Sequence, residues 1–170
     1  MSRWSAILRA PRRLLLRSPR LFVRLFSPDD RELGELGEEV AARHLARRGW
    51  KILARRLRTK RGEADLVARS RDGLAVVEVK TGRVRPIPRP RGMELPESVA
   101  MRWRPGARCD ARRLARLRAV GKEIAAAPKF RARSGRGGFL ARVDLIEVWL
   151  AEPGGTFRIL HHEDLRKPLP

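Results

Sequence analysis

Two neighbouring apolar segments of this 170-residue chain carry acidic residues at positions where a buried strand normally carries valine or isoleucine. The first segment is residues 62–68 (GEADLVA) and the second is residues 76–80 (VVEVK). Glu and Asp are depleted in strands and are rarely buried without a partner. Because sequences tend to break such local rules where function requires it, Asp65, Glu78 and Lys80 predict a functional site on two adjacent strands.

The length and the apolar content, 42% of all residues, suit a single domain with a hydrophobic core. The chain contains no apolar run of the roughly eighteen residues that a membrane-spanning helix needs, so we expect no transmembrane segment and a cytoplasmic protein. A single cysteine, Cys109, leaves no internal disulfide and no multi-cysteine metal site.

Charge is the strongest compositional signal. Lys and Arg total 40 against 19 Asp and Glu, which gives a formal net charge of +21. A charge of this sign and size predicts an acidic partner, and a polyphosphate such as a nucleic acid fits best. The excess of arginine over lysine suits bidentate phosphate contacts. A GC-rich genome would also produce that excess, but it would not produce the net charge.

The first thirty residues differ from the rest of the chain. Residues 1–30 contain seven arginines, no acid before Asp29, and prolines that interrupt any long helix. They lack the uninterrupted apolar region of a secretory signal. We interpret them as a basic, poorly ordered extension; a transit peptide, or an arm that contacts membrane or nucleic acid, are the alternatives. The folded domain is expected over residues 31–170.

Apolar periodicity and turn residues predict the order of elements in that domain. The expected order is a helix, three strands, a second helix and two strands, at residues 31–48, 50–54, 63–69, 74–81, 110–127, 139–150 and 157–161. Residues 82–107 contain five prolines among arginines and predict a long basic loop, and 129–138 predict a second one. The order indicates an α/β domain with a mixed sheet and helices on its faces.

Strand alternation places the acids relative to one another. Side chains alternate between the two faces of a strand, so Glu63, Asp65 and Val67 are expected on one face, and Glu78 and Lys80 on one face of the next strand. Two adjacent carboxylates suit Mg²⁺ or Mn²⁺, since Mg²⁺ takes one or two protein carboxylates and keeps water and phosphate oxygens as its other ligands. The lysine would then orient water or stabilise charge on the phosphate. The alternative is that the acids form salt bridges with the many arginines.

Glu38 extends the predicted site. It lies at the edge of the apolar stripe of the first helix, so packing that helix on the sheet would bring it over Asp65 and Glu78. Glu39 is expected to point more toward solvent. The alternative is that Glu38 only neutralises Arg43 or caps backbone.

The remaining candidate side chains have structural interpretations. Glu63 is expected in a turn or strand-entry contact, and Asp144 in a pair with an arginine. Residues 161–162 are two histidines expected at a solvated strand end, with a metal site as the alternative. His44 is interpreted as a helix-face residue, and Cys109 as inert because no base lies near it in sequence.

Three motifs occur in order and at specific spacings. They are Gly34-x-x-Gly37-Glu38 within residues 34–50, Gly62-Glu63-x-Asp65 within residues 62–68, and Val77-Glu78-Val79-Lys80. Together they resemble the bacterial YraN family, also called UPF0102, strongly over residues 33–81 and loosely over 109–165. That family is predicted to be similar to archaeal Holliday-junction resolvases of the restriction-endonuclease-like superfamily, whose active site is written PD-(D/E)xK.

The resemblance implies a restriction-endonuclease-like fold, a metal-dependent endonuclease acting on DNA, branched DNA included, and a homodimer. It implies Asp65 and Glu78 as metal ligands, Lys80 as the catalytic lysine and Glu38 as the helix glutamate that completes the site. Arg56 is a departure, since the family usually has asparagine there. A nucleic-acid-binding module with a vestigial site is the alternative, and a basic protein associated with ribosomes or membranes through its first residues is a third interpretation.

Overall fold

The computed structural model describes residues 12–71, 73–84, 110–131, 141–151 and 155–165. The helices are α1 (Pro19–Leu25), α2 (Asp30–Arg47), α3 (Ala111–Ala126) and α4 (Pro128–Arg131). The strands are β1 (Lys51–Thr59), β2 (Gly62–Ser70), β3 (Gly73–Val84), β4 (Arg142–Ala151) and β5 (Thr156–His162). Most of the two predicted basic loops, and Cys109, lie outside the described residues.

The strands form one five-stranded sheet in the order β1-β2-β3-β4-β5. β1 pairs antiparallel with β2, and β2 pairs antiparallel with β3. β4 is parallel to β3, and β5 is antiparallel to β4. Parallel neighbours need a crossover connection, and α3 lies within the one between β3 and β4. The α/β class with a mixed sheet flanked by helices is therefore confirmed.

α2 begins and ends close to the predicted positions. A capping box starts it: the Asp29 carboxylate accepts the Glu32 N–H at 2.8 Å, and Glu32 accepts the Asp29 N–H at 2.9 Å. Gly49 follows the helix with φ of +81°, a conformation that glycine adopts at no steric cost. The helix packs Leu45 against one face of the sheet, where Leu66 and other strand residues form a buried cluster.

α3 covers the opposite face. The Asp110 side chain caps it by accepting the Arg113 N–H at 2.7 Å. Leu117 and Val120 are buried against Val67 and Val76 of the sheet, together with residues of β4. The sheet therefore lies between two helices, and each face has its own apolar cluster.

The structure differs from the expected poorly ordered extension over residues 12–30. Leu16 and Phe22 are buried against Leu36 of α2. The Arg12 guanidinium donates to both carboxylate oxygens of Glu32, at 2.6 and 2.8 Å, and this contact lowers the pKa of that carboxyl. Alternating leucine and arginine conceals the anchoring residues in the sequence, because the apolar positions follow no simple period. Residues 1–11 lie outside the described residues.

Candidate functional site

The sheet opens between its second and third strands. β2 and β3 pair only as far as Leu66 and Val77, beyond which β2 continues beside β1 and β3 beside β4. The next residue on each strand, on the open side, is an acid: Asp65 on β2 and Glu78 on β3. The two predicted acids therefore flank the point at which backbone pairing stops.

Asp65 takes the place of a missing backbone acceptor. Its Oδ2 accepts the Val79 N–H at 2.8 Å, whereas no described residue donates to its Oδ1. Burial in the first place, and the nearby charge of Glu78 in the second, raise the pKa of Asp65 to about 6, because both effects disfavour a negative charge on this carboxyl. This carboxylate is destabilised as an anion and would gain from a cation.

Strand alternation is interrupted at this level of β2. Ala64 and Val67 both pack in the cluster under α3, whereas Leu66 lies in the cluster under α2. Glu63, next to Ala64, is therefore on the face away from Val67, and the predicted shared face is wrong. The neighbouring strand is irregular at the same level, since Arg56 has φ of +46° and lies between the residues that pair with Leu66 and Ala64.

Glu78 is held by two basic side chains. It is 1% exposed; its Oε1 lies 2.6 Å from the Lys80 ammonium, and the Arg113 guanidinium donates to Oε1 at 3.0 Å and to Oε2 at 2.7 Å. Such bidentate, charge-assisted contacts are among the strongest hydrogen bonds in proteins. Glu78 therefore forms salt bridges, as the alternative to a metal site expected. These salt bridges lie in a cavity and not on the open surface.

Glu38 reaches the same region from α2 and has its own basic partner. The Arg56 guanidinium donates to both carboxylate oxygens of Glu38, at 2.8 to 3.1 Å, which raises the pKa of the guanidinium. Arg43 pairs with Glu39 instead, as does Arg55, so Glu38 does not neutralise Arg43. Both glutamates have 17% of their side chains exposed, and the expectation that Glu39 points more to solvent is wrong.

One cavity of about 490 Å³ brings the predicted residues together. Its lining includes Glu38, Asp65, Glu78 and Lys80, and also Arg113 from the first turn of α3. All four residues predicted from the sequence therefore lie around one opening, between the two helices and at the point where the sheet splits.

A larger depression, of about 760 Å³, lies between the β1–β2 turn and α3. Its charged lining residues are Lys60, Arg61, Arg118, Lys122 and Glu123. None of the acids of β2 or β3 reaches it. Four of these five charged side chains are basic, so the lining of the depression is net positive.

The carboxylate oxygens that line the smaller cavity are of the kind that binds a hard cation. They are not arranged around one point as the ligands of a single ion. Among the described residues, no three Asp, Glu, His or Cys side chains converge as ligands of one ion. Lys80 and Arg113 hold Glu78, and the other acids have separate partners. Two carboxylates are nevertheless sufficient for Mg²⁺, and a cation would offset the repulsion that raises the pKa of Asp65.

A family model described as "Uncharacterised protein family UPF0102" matches residues 37–148, a range that includes Glu38, Asp65, Glu78, Lys80 and Arg113 of the cavity. The chain belongs to the UPF0102 family. UPF0102 proteins of Syntrophomonas wolfei and Roseiflexus castenholzii are 52% identical over 54 residues and 55% identical over 53 residues. A UPF0102 protein of Trichlorobacter lovleyi is 45% identical over 60 residues.

These matches cover 32%, 31% and 35% of the chain, and 47%, 43% and 47% of the respective relatives. The chain spans about half the length of the curated relatives it matches. No helix in the described part of this UPF0102 chain is long and apolar enough to cross a membrane.

Sequence reasoning missed two basic residues of this UPF0102 site. Arg113 had a weak signal: the first turn of α3 holds Arg112 and Arg113 and no acid, although the helix dipole favours acids there. Arg56 was singled out only as a departure from asparagine, a residue that tolerates positive φ, and its contact with Glu38 had no local signal. Both contacts join residues far apart in sequence.

The other strand acid, Asp144, behaves as predicted, whereas the histidines do not. Asp144 is fully buried and pairs with Arg142 at 2.9 Å. Its second partner is the ring of His161, also at 2.9 Å, and His162 contacts Glu147 at 2.8 Å. The two histidine side chains are only 5% and 18% exposed, so the predicted solvated strand end is wrong. The histidines are covered because Asp144 and Glu147 are buried on β4, and each of these acids needs a polar partner.

Two further expectations are met. Glu63 pairs with Arg58 across β1 and β2 at 3.0 Å, in a contact at the strand entry. His44 lies on α2 with its ring edge against His161, at 5.5 Å between centroids. Burial lowers the pKa of His44, and the neighbouring His161 lowers it as well.

Proposed function

We propose that the chain is a Mg²⁺- or Mn²⁺-dependent endonuclease that hydrolyses phosphodiester bonds in DNA, Holliday-junction-like branched DNA included. One observation carries the proposal: Asp65, Glu78 and Lys80 meet in a cavity where β2 and β3 stop pairing. A raised carboxylate pKa beside a second buried carboxylate is typical of functional sites, and the family resemblance of the sequence motifs implies the same three residues.

The residues of the cavity divide into acidic and basic roles. Asp65 and Glu78 would hold the cation, with Glu38 supporting its ligand shell from α2. The bound cation would polarise the scissile phosphate and activate the attacking water. Lys80 and Arg113 now neutralise Glu78; once its carboxylate turns to a cation, both basic side chains become available to the phosphate. The planar fork of Arg113 suits two phosphate oxygens, and Lys80 is placed to orient water.

The surrounding charge supports DNA as the partner. The basic depression between the β1–β2 turn and α3 contains Lys60, Arg61, Arg118 and Lys122. α3 runs from that depression to Arg113 in the cavity, so one helix links the reactive residues to a phosphate-binding surface. Binding through such a surface is expected to weaken steeply with salt. The resemblance implies a homodimer, which would offer one cavity for each of two DNA strands.

The test measures cleavage of a four-way DNA junction and of linear duplex with Mg²⁺ or Mn²⁺. We expect Asp65→Ala and Lys80→Ala to lower the cleavage rate by about 10² or more while DNA binding persists. Glu63→Ala is the matched control, because Glu63 is a neighbouring strand acid with a partner outside the cavity. Equal cleavage by wild type and both site variants would contradict the proposal.

A nucleic-acid-binding module with a vestigial site is the second candidate. It is favoured by the internal pairing of the acids: Glu78 with Lys80 and Arg113, and Glu38 with Arg56. Calorimetry with Mn²⁺ separates the two candidates. Metal binding that is lost in Asp65→Ala supports the nuclease, whereas DNA binding without any such metal binding supports the module.

A further inference from the structure

Exposed apolar side chains of the described residues concentrate near the N-terminus. Leu14, Leu21 and Leu25 are 70%, 44% and 59% exposed. Two other large apolar residues in the described part are exposed, Val84 and Leu160, at 38% and 37%, and both lie on strands. Single exposed leucines are ordinary on protein surfaces. Three within twelve residues, on a segment that is also basic, need an explanation.

The outward side of α1 combines leucine with arginine. Leu21 and Leu25 are four residues apart and so lie in one row along the helix, and Arg20 and Arg24 form the adjacent row. All four are exposed. Residues 12–28 contain no acid, so nothing within this segment neutralises the row of arginines.

The opposite side of α1 is fixed to the domain. Phe22 is fully buried in the cluster with Leu16 and Leu36. Arg12 is held by Glu32, and its guanidinium lies 5.4 Å from the centre of the Phe22 ring. The segment is therefore held in place by its inner residues, and the outer leucines contribute little to that packing.

We propose that the outward face of residues 12–25 docks on an anionic lipid surface. The leucines would enter the boundary between headgroups and acyl chains, and the arginines would contact the headgroups. A nucleic acid matches the arginines, but its phosphate backbone gives the leucine row no apolar environment. Lipid is the partner that accounts for both rows, and a pre-formed helix loses little entropy on docking. This inference is independent of the proposed nuclease activity.

The test is co-sedimentation of the full chain with vesicles of phosphatidylcholine containing about 30% phosphatidylglycerol, and with phosphatidylcholine alone. The double variant Leu21→Gln/Leu25→Gln keeps the net charge of +21 and removes the apolar row. Val84→Gln/Leu160→Gln is the matched control, since it makes the same kind of change at exposed residues elsewhere. We expect about a tenfold loss of partitioning for the first variant and less than about twofold for the control. Thermal unfolding checks that both variants fold.

Two results would overturn the inference. Equal vesicle binding by wild type, variant and control means that charge alone attracts the protein to the surface. Loss of DNA affinity in Leu21→Gln/Leu25→Gln, without vesicle binding by wild type, makes the face a nucleic-acid surface. Leu14→Gln, which lies before α1, gives the same comparison if the double variant does not fold.

Discussion

Two buried acidic clusters lie one residue apart on neighbouring parallel strands, yet they differ in kind. Glu78 of β3 lies opposite Leu145 of β4, and Asp144 lies opposite Val77. Because successive side chains alternate between faces, Glu78 faces α3, where Arg113 contacts it, and Asp144 faces α2. The same pair of strands thus carries Glu78, which lines the cavity, and Asp144, which belongs to a closed polar cluster with Arg142 and His161.

The difference lies in the surroundings of the two acids, because both carboxylate oxygens of each one have partners. Asp144 accepts from Arg142 and His161 through Oδ2 and from the Asp164 N–H through Oδ1 at 3.0 Å, and it is fully buried. The partners of Glu78 are 25% and 28% exposed and line an open cavity. Burial of a strand acid is therefore weak evidence for a site. Partners that solvent can reach, beside a second acid with a raised pKa, are stronger evidence.

The largest effect on stability is expected at the closed cluster. Asp144→Ala would remove the acceptor that the Arg142 guanidinium and the buried His161 ring share. Removing one member of such a group costs about 3–5 kcal/mol of unfolding free energy. Urea denaturation measures this cost.

Glu63→Ala is the control for Asp144→Ala, because it also removes a strand acid paired with an arginine. The Arg58 side chain is 86% exposed in that pair, so the expected cost is below about 1 kcal/mol. Similar costs for the two variants would show that the closed cluster is not structural, and the comparison above would fail.

A change of the opposite sign is expected in the cavity. The native pKa of Asp65 is about 6 against an ordinary value of 3.8, so between these pH values the native state holds a proton that the unfolded chain releases. The stability contributed by this residue therefore falls as pH rises from about 4 to 6 and is constant above. Asp65→Asn keeps an acceptor for the Val79 N–H and removes the titration. It is expected to stabilise the protein by up to about 3 kcal/mol at pH 7.5 and by little at pH 3.5.

Urea denaturation of wild type and Asp65→Asn across this range checks the sign. Parallel curves of stability against pH would mean that the carboxyl is not destabilised in the native state. Greater stability at pH 7.5 with lost cleavage would be the pattern of a site that gives up stability for function.

Sequence and structure agree where local chemistry decides the outcome. The capping acids, Gly49 and the broken apolar pattern at Asp65 and Glu78 act within a few residues, and they predicted the helix ends and the position of the cavity. Distant contacts decided the rest. Arg56 meets Glu38 across 18 residues, and Arg113 meets Glu78 across 35.

The N-terminal segment and the paired histidines were misread for the same reason. Phe22 is buried by residues of α2, and His161 is covered only because the distant Asp144 needs a partner. Neither burial has a periodic signature in its own segment. A basic, proline-containing segment therefore looked unstructured although one of its aromatic residues is fully buried.

α2 connects the two compared regions, and a pair of its glycines tests how firmly it is held at the cavity end. A Cβ on Gly37 would lie 1.9 Å from the Thr81 Oγ1 on β3, whereas a Cβ on Gly34 would meet nothing within 4 Å. Gly37→Ala is expected to cost about 1–3 kcal/mol and to displace Glu38. Gly34→Ala is expected to add about 0.5–1 kcal/mol, since alanine favours a helix interior. Thermal unfolding of the two variants gives both values. Equal effects of Gly37→Ala and Gly34→Ala on stability would contradict the close approach of Gly37 to Thr81.

The smallest effect concerns the basic residue that separates Glu38 from the other acids. Arg56 has φ of +46°, which costs about 1 kcal/mol or more in arginine and less in asparagine. Its pair with Glu38 offsets part of that cost, but the guanidine side chain is 48% exposed, so the pair contributes at most about 1 kcal/mol. Arg56→Asn is therefore expected to change stability by less than about 1 kcal/mol, in the stabilising direction.

Arg55→Asn is the matched control for Arg56→Asn. Arg55 pairs with Glu39 at 3.1 Å in a similar way but lacks the positive φ, so its replacement by a poor strand former is expected to destabilise. Only Arg56→Asn frees an acid that lines the cavity, and calorimetry should then show tighter Mn²⁺ binding for this variant alone. Tighter binding would mean that Arg56 competes with the metal for Glu38. The cavity would then differ from the closed cluster because a metal ion can replace a basic side chain as the partner of one of its acids. Unchanged binding would leave Asp65 and Glu78 as the whole ligand set.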